Sequence, residues 1–265
     1  MIKLKLGVVN IMPHARQYDL QLRTALADVA DLIELYPIRL VSHAYLSSAT
    51  DVAQYHTFSE LNRQVSLDLL LVTGAPVEHL PFDEIRYMPE LEQIFGATRG
   101  FGIPVCGLCF GALAIAGYLG IGKRVQQSKV FGVYKLAIHA GVERHVGALP
   151  RHLYMPFSTW ALLDPDALAL ANRHGGLVTL ASHPDLGPVM LASHDHQFLM
   201  LLGHPEYSVA TLRQEWLRDS AKQIPYTSNF SDASFDEMAR TLQSGASPAL
   251  SNWVIEHFNR ATLAA

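Results

Sequence analysis

The sequence predicts an α/β fold with a mostly parallel sheet flanked by helices, and three features favour it. Short segments that are apolar throughout, as in strands buried on both faces, recur along the first half of the chain. Successive segments are separated by enough residues for a crossover helix. One of them ends in a turn of small residues around Cys109, and an apolar helix resumes directly afterwards. This alternation is typical of a parallel sheet covered on both faces.

The individual elements follow from local signals. The first strand becomes fully apolar before Pro13, and a helix with Asp19 as its N-cap is predicted after it. Residues 43–66 are weakly patterned and are interpreted as a loop with a short helix. A meander of three strands joined by short turns leads to Gly203. The predicted strands span 3–11, 33–40, 69–72, 105–108, 129–139, 147–158, 177–182, 188–193 and 198–202, and the last helices span about 209–222 and 248–260.

Composition limits the classes of function. The 265 residues are 49% hydrophobic and 17% charged, which suits one large domain, so residues 1–265 are interpreted as a single domain. No apolar run approaches the roughly 20 residues of a membrane span. The net charge of −4 comes with scattered Lys and Arg, which does not favour nucleic acid. The 13 histidines form no HExxH or paired CxxC pattern, so no metal site is expected.

Two cysteines three residues apart offer no disulfide framework, and no charged-then-apolar leader opens the sequence. We therefore expect a cytoplasmic protein. Cys109 is the candidate nucleophile, because a strand-to-helix turn exposes its sulfur to the N–H groups and positive dipole end of the next helix. The alternative for Cys109 is a small buried hydrophobe, which is the usual state of a free cysteine. That structural role is the one we assign to Cys106, inside the strand.

A thiolate nucleophile needs a base and a group that orients the base. The triplet His204-Pro205-Glu206 can supply both, because Pro205 keeps His204 out of the helical region and residues two apart in an extended backbone point the same way. Alone the triplet is a weak signal. Together with the Cys109 turn it is much stronger.

These features resemble the class I glutamine-amidotransferase-like fold, which is flavodoxin-like, and further motifs resemble the homoserine O-acyltransferase family. The motifs occur in that family's order and approximate spacing. They are Asn10-Ile11-Met12-Pro13, Thr73-Gly74-Ala75-Pro76-Val77-Glu78, Cys109-Phe110-Gly111-Ala112, Gly132-Val133-Tyr134, Gly203-His204-Pro205-Glu206-Tyr207, Glu215 with Arg218-Asp219, and Asn252-Trp253.

The resemblance implies a role for each matching position. Cys109 would carry an acyl thioester, His204 would accept the proton and Glu206 would hold His204. Backbone N–H groups at Phe110 and in the Gly74-Ala75 turn would stabilise the oxyanion. The residues that would face the substrate are Lys129, Ser158, Glu215 and Arg218.

Arg218 would bind the amino-acid carboxylate, for which a guanidinium is well suited, and Glu215 would be available for the ammonium group. The two residues are three apart and share a helical face. Without the resemblance, they could equally form an ordinary surface ion pair. Lys129, taken on sequence alone, is more simply explained as a solvated strand residue.

Glu78 bears on the acyl donor. In the resembling family, glycine at this position accompanies succinyl-CoA and glutamate accompanies acetyl-CoA, since a carboxylate would repel the free carboxylate of a succinyl group. We expect acetyl-CoA as co-substrate and no bound cofactor. Succinyl-CoA stays the alternative donor.

Several positions depart from the family pattern: His14 and Ala15 replace lysines, Tyr18-Asp19 replaces Thr-Glu, and Phe157 and Thr159 flank Ser158 in place of His and Arg. Polar groups near the site are thereby lost, which leaves the acceptor open between homoserine and the shorter hydroxy-amino acid serine.

Two other classes of function remain open. A glutaminase would resemble G-x-C-x-G-x-Q, but Leu113 occupies the last position. A cysteine redox sensor could use Cys109 as a reactive thiol, but would not need His204 and Glu206. The expected partners are small molecules, acyl-CoA and a hydroxy-amino acid, with no nucleic acid or membrane, and the expected assembly is a homodimer.

Overall fold

The computed structural model describes residues 3–46, 52–151, 153–173, 176–228, 235–245 and 248–264. Part of the predicted loop within 43–66, residues 47–51, lies outside the described residues. The short helix predicted in that segment is present as Phe58–Gln64, and a Thr57/Glu60 capping box begins it.

The described residues form one sheet of ten strands in the order β10-β5-β7-β8-β9-β4-β3-β1-β2, with β6 paired to β5. Five adjacent strands, β2, β1, β3, β4 and β9, run parallel. The sheet continues through β8, β7 and β5 in antiparallel pairs. Strands β1 to β10 span Leu4–Val9, Ile33–Ile38, Leu69–Val72, Val105–Leu108, Lys123–Ile138, Leu153–Leu163, Leu177–His183, Gly187–Ser193, Phe198–Leu201 and Tyr226–Ser228.

Helices cover the sheet. Every residue of β3 and β4 is buried, which explains why these strands are apolar throughout rather than alternating. Helices α1 to α9 span Ala15–Ala25, Phe58–Gln64, Met88–Phe101, Phe110–Tyr118, Glu143–Val146, Pro165–Arg173, Val209–Ala221, Phe235–Gly245 and Ala249–Ala264.

The predicted fold class is confirmed, and β3 and β4 have the predicted bounds. The predicted N-cap at Asp19 is wrong: α1 begins at Ala15, after His14. Asp19 lies inside the helix, where its carboxylate accepts hydrogen bonds from Asn10, at 2.8 Å, and from the Tyr55 hydroxyl. These tertiary partners satisfy the carboxylate that the sequence suggested would cap the helix.

The strand predicted over 147–158 begins later than expected. Residues 143–146 form α5, and β6 runs from Leu153 to Leu163 as the antiparallel partner of β5. The sequence pattern also did not predict α6 or α8. Helix α8 buries Met238 and Leu242 in a small hydrophobic cluster separate from the main core.

Candidate active site

Cys109 lies between the carboxyl end of β4 and the first residue of α4, and its backbone is in a rare conformation, with φ 48° and ψ −109°. Its N–H donates to Leu201 in the neighbouring strand β9 at 2.8 Å. Gly107 and Gly111 allow this turn, because a Cβ on Gly107 would approach the carbonyl carbon of Gly111 to 2.5 Å. The thiol therefore sits at the N-terminus of α4, where backbone N–H groups have no acceptor within the helix.

His204 follows β9, so the pairing of β4 with β9 brings it beside Cys109. Its Nδ1 lies 2.8 Å from Glu206 Oε1, and its ring stacks on Tyr207 with centroids 4.0 Å apart. Burial alone would lower the pKa of His204, but the charges of Cys109 and Glu206, and hydrogen bonds to both, raise it well above its usual value. The structure thus brings Cys109, His204 and Glu206 together in a buried array.

Tyr18, on α1, also contacts this array. Its hydroxyl donates to Glu206 Oε1 at 2.9 Å, and the side chain is buried. The other carboxylate oxygen of Glu206, Oε2, is buried and has no hydrogen-bond partner among the described residues. One oxygen of Glu206 therefore serves both the imidazole and the phenol.

A chain of charged side chains also lines the cavity. Lys129 Nζ lies 2.7 Å from Asp219 Oδ2, and both side chains are buried. Arg218 donates to Asp219 Oδ1 at 2.7 Å and to Glu215 at 3.2 Å. Burial would raise the pKa of Asp219, but the hydrogen bonds from Arg218 and Lys129 lower it below its usual value. Lys129 is thus a buried, paired cation, and its interpretation as a solvated strand residue is wrong.

Glu78 is buried and lines the same cavity. The backbone N–H of Trp160 donates to its Oε1 at 3.3 Å, whereas Oε2 has no hydrogen-bond partner among the described residues. Burial raises the pKa of Glu78, against the opposing effects of the Glu78 and Trp160 backbone N–H groups and of the Lys129 charge. Glu78 therefore presents an unsatisfied carboxyl oxygen in a partly apolar wall.

The cavity has a volume of about 570 Å³. Most of the predicted site residues line it, and Glu206 and Phe110 are not among the lining residues. Those lining the cavity are Gly74, Ala75, Glu78, Cys109, Lys129, Ser158, His204 and, from α7, Glu215 and Arg218 on one face, the last of them half-exposed.

The backbone donors expected at the oxyanion are near the sulfur. Phe110 is the first residue of α4. A Cβ on Gly74 would lie 3.4 Å from the Cβ of Cys109 and 3.5 Å from Cε1 of His204. A Cβ at residue 74 would therefore be in van der Waals contact with both Cys109 and His204.

Of the positions that depart from the family pattern, His14 and Tyr18 line the cavity. Phe157 is instead in the core, packed edge-on against Tyr134 at 5.5 Å, and Thr159 hydrogen bonds within its own strand to Ala161. The polar group that Tyr18 adds at Glu206 was missed by the sequence interpretation. No local signal marks it, because the contact joins α1 to the loop after β9.

Asp219 and Tyr207 were also missed as site residues, although both stand within the family motifs. Asp219 adjoins Arg218 in sequence, and only the fold shows that it pairs with Lys129 as well. In the described part of the chain, no group of three or more His, Cys, Asp or Glu side chains could hold a metal ion. No helix among those residues is long and apolar enough to cross a membrane.

A family model described as homoserine O-succinyltransferase matches residues 1–262. The chain belongs to the homoserine O-succinyltransferase family. Curated relatives carry the name homoserine O-acetyltransferase. One from Jannaschia sp. (strain CCS1) is 34% identical over 228 residues, which are 84% of this chain and 71% of the relative. One from Ruegeria sp. (strain TM1040) is 28% identical over 260 residues, which are 96% and 82% of the two chains.

Solved structures support the fold. A glutamine amidotransferase from Methylobacillus flagellatus has a TM-score of 0.60 at 13% identity, covering 99% of this chain and 95% of its own. A glutamine amidotransferase from Thermotoga maritima has a TM-score of 0.60 at 10% identity, covering 100% of both chains. At these identities the likeness shows a class I glutamine-amidotransferase-like fold alone. Membership of the homoserine O-succinyltransferase family assigns the protein to the homoserine O-acyltransferases, whose co-substrate is an acyl-CoA.

The first prediction concerns the buried pair of Lys129 and Asp219. Asp219→Asn should lower the free energy of unfolding at pH 7 by about 3–5 kcal/mol, because Lys129 would keep a buried charge without its carboxylate. The folded pKa of Asp219 is lowered, so its contribution is present above the usual value of 3.8 and is lost as the pH falls through the folded pKa. Urea unfolding at several pH values should show that the difference in free energy of unfolding between wild type and variant becomes smaller below pH 3.8.

The matched control is Glu256→Gln, which removes a partly exposed carboxylate 3.2 Å from Arg260. It should cost less than about 1 kcal/mol. The structural role of Asp219 would be contradicted if both variants lost the same free energy of unfolding, or if the loss in Asp219→Asn did not change with pH.

Proposed function

We propose that this protein transfers an acetyl group from acetyl-CoA to the side-chain hydroxyl of L-homoserine through a thioester on Cys109. The observation that carries the proposal is the buried array of Cys109, His204 and Glu206 at a cavity whose wall also presents Arg218 and Glu215. Membership of the homoserine O-acyltransferases supports this reaction class over the glutaminase and redox-sensor alternatives.

In the first half-reaction, His204 accepts the thiol proton of Cys109, and the thiolate attacks the acetyl carbonyl of acetyl-CoA. A sulfur–carbon bond forms, and the negative charge moves to the carbonyl oxygen, where the N–H groups of Phe110 and the Gly74-Ala75 turn would stabilise it. The intermediate collapses, the bond to the CoA sulfur breaks, and CoA leaves as a thiol with the proton held by His204. Glu206 keeps the imidazole oriented and stabilises its positive charge.

In the second half-reaction, His204 accepts the hydroxyl proton of homoserine as its oxygen attacks the thioester. The carbon–sulfur bond breaks, and Cys109 recovers the proton from His204. His204 can serve as the base in both half-reactions because both take place at the sulfur of Cys109, first with acetyl-CoA and then with homoserine.

Arg218 is the residue we assign to the acceptor carboxylate. Both Arg218 and Lys129 are paired with Asp219 at 2.7 Å, but the Arg218 side chain is half-exposed at the cavity whereas Lys129 is buried. Glu215 Oε2 and Ser158 Oγ are buried without hydrogen-bond partners among the described residues, so they are free to accept from an ammonium group. Opposite charges held three residues apart on one helix face suit a zwitterion.

Glu78 is the residue we assign to donor choice. An ionised carboxylate there would repel the terminal carboxylate of succinyl-CoA, and in either protonation state the side chain occupies the space such a group would need. The family name and the names of the relatives differ on this point, succinyl for one and acetyl for the others. Glu78 favours acetyl.

We further propose that residues 1–265 act as a single acyltransferase domain, in the cytoplasm and as a homodimer. The continuous sheet through the described residues supports the single domain. No cofactor enters the proposed reaction beyond acetyl-CoA as co-substrate, and no nucleic acid or membrane takes part.

The second prediction tests the thioester. Protein mixed with acetyl-CoA alone should gain one acetyl group by intact-mass spectrometry, because the first half-reaction needs no acceptor. Cys109→Ser should abolish the thioester adduct, whereas Cys106→Ser, in the buried strand β4, should retain it. An adduct that survives Cys109→Ser and resists hydroxylamine would overturn the assignment of the nucleophile.

The third prediction tests donor choice. Glu78→Gly should raise the ratio of kcat/KM for succinyl-CoA to that for acetyl-CoA by about tenfold or more, because both charge and bulk are removed. Glu78→Gln keeps the bulk and removes the charge, so it separates the two causes. The measurement is CoA release with each donor at a fixed concentration of homoserine. An unchanged ratio in both variants would place the donor pocket elsewhere.

The fourth prediction tests the acceptor. Homoserine should exceed serine in kcat/KM with acetyl-CoA, and Arg218→Ala should raise KM for the amino acid far more than KM for acetyl-CoA, because the carboxylate contact is lost. The matched control is Arg99→Ala, another half-exposed arginine, whose partner is Asp195. The assignment would be contradicted if serine were the better substrate, or if Arg218→Ala raised KM equally for the amino acid and for acetyl-CoA.

A further inference from the structure

One carboxylate oxygen of Glu206 accepts from two donors on different elements. Oε1 lies 2.8 Å from His204 Nδ1, in the loop after β9, and 2.9 Å from the hydroxyl of Tyr18, on α1. Oε2 is buried without a hydrogen-bond partner among the described residues, so nothing on that side fixes the carboxylate plane. Tyr18 thus joins His204 in hydrogen bonding to this carboxylate.

We propose that Tyr18 is a positioning residue of the catalytic array, and that its hydrogen bond to Glu206 Oε1 fixes the plane of the carboxylate that orients His204. This inference rests on the proposed function. Tyr18 is one step removed from the reacting atoms, because it acts on His204 only through Glu206.

The neighbouring contacts of α1 support this role. Gln21, one turn after Tyr18, donates to the backbone carbonyl of Glu206 at 3.4 Å, so α1 contacts Glu206 at two points. Asp19 anchors the same helix through Asn10, at 2.8 Å, and Tyr55. The helix that carries the phenol is therefore itself held against the sheet.

The phenol can only donate to Glu206. Burial and the charge of Glu206 raise the pKa of Tyr18 well above its usual value, so the hydroxyl keeps its proton. The positive hydrogen of this dipole is directed at Oε1 and offsets part of the charge that Glu206 presents to His204. Removing the hydroxyl should therefore make His204 more basic while it loosens the carboxylate.

Other titratable groups face this array from every element around it, and a Tyr18→Phe substitution leaves all of them in place. They are Cys106 on β4, Cys109 at the start of α4, Tyr207 in the loop after β9, and Glu215 and Arg218 on α7.

The kinetic test compares Tyr18→Phe with wild type. We expect kcat to fall about tenfold, the KM values for both substrates to change less than about twofold, and the acidic limb of the kcat profile to move to higher pH by about 0.5 unit. The matched control is Tyr55→Phe, which removes a phenol donated to Asp19 on the same helix but does not touch Glu206. It should leave the pH limb unmoved.

A second readout needs neither substrate. Nuclear magnetic resonance of ¹³C-labelled histidine in a Cys109→Ser background follows the titration of the His204 ring, and Tyr18→Phe should raise its midpoint. Replacing Tyr18 with 3,5-difluorotyrosine strengthens the donor and should move the midpoint the opposite way, which also covers a Phe variant that fails to fold. An unmoved midpoint in the variants, or a kcat loss that Tyr55→Phe reproduces, would overturn the proposal.

The two proposals fail in different ways. If the protein forms no acetyl thioester, the proposed function fails while the His204 titration still reports on Tyr18. If the thioester forms on Cys109 and the titration is unchanged by Tyr18→Phe, the positioning role fails and the acyl transfer stands.

Discussion

The rest of the site depends on the backbone of Cys109. A non-glycine residue at φ 48° and ψ −109° costs on the order of 1–3 kcal/mol, and it persists only where the surrounding structure imposes it. The hydrogen bond to Leu201 in β9, and the close approach of Gly107 and Gly111, impose it here. The strain places the sulfur over the first turn of α4 and leaves the cavity side open to a substrate.

Two kinds of carboxylate lie at or near the cavity. Glu206 and Asp219 are held by strong donors, and each serves a residue that faces the cavity, His204 in one case and Lys129 in the other. Glu78 and Glu215 line the cavity, and each keeps an oxygen without a partner among the described residues. Glu206 Oε2 also lacks such a partner, but Glu206 is not among the residues that line the cavity. Leaving a buried acceptor unsatisfied costs about 1–3 kcal/mol, a cost that a ligand can offset on binding. Glu206 and Asp219 therefore hold other side chains in place, whereas Glu78 and Glu215 have an oxygen available for a substrate.

The features predicted correctly from the sequence are those that depend on residues close together in the chain. Strands buried on both faces, such as β3 and β4, were predicted with their observed bounds because their apolar runs are continuous. The turn at Cys109 and the His204-Pro205-Glu206 triplet were visible because each group is contiguous in sequence. The contacts of Tyr18 with Glu206, and of Asp219 with Lys129, were not visible, because each joins elements that only the sheet order brings together. The N-cap predicted at Asp19 was wrong for the same reason, because tertiary donors such as Asn10 bind the Asp19 carboxylate inside the helix.

The order of the strands also bears on when the Cys109 thiol meets His204 as the chain is made on the ribosome. Cys109 directly follows β4, but His204, its proposed base, follows β9, which is synthesised only after the meander strands β7 and β8. A chain emerging from the ribosome exposes its N-terminal half first, and contacts between distant segments form late. The nascent thiol therefore has no His204 imidazole beside it. In the proposed mechanism the thiol is activated only once β9 has paired with β4, so a chain terminated before β9 would lack its base.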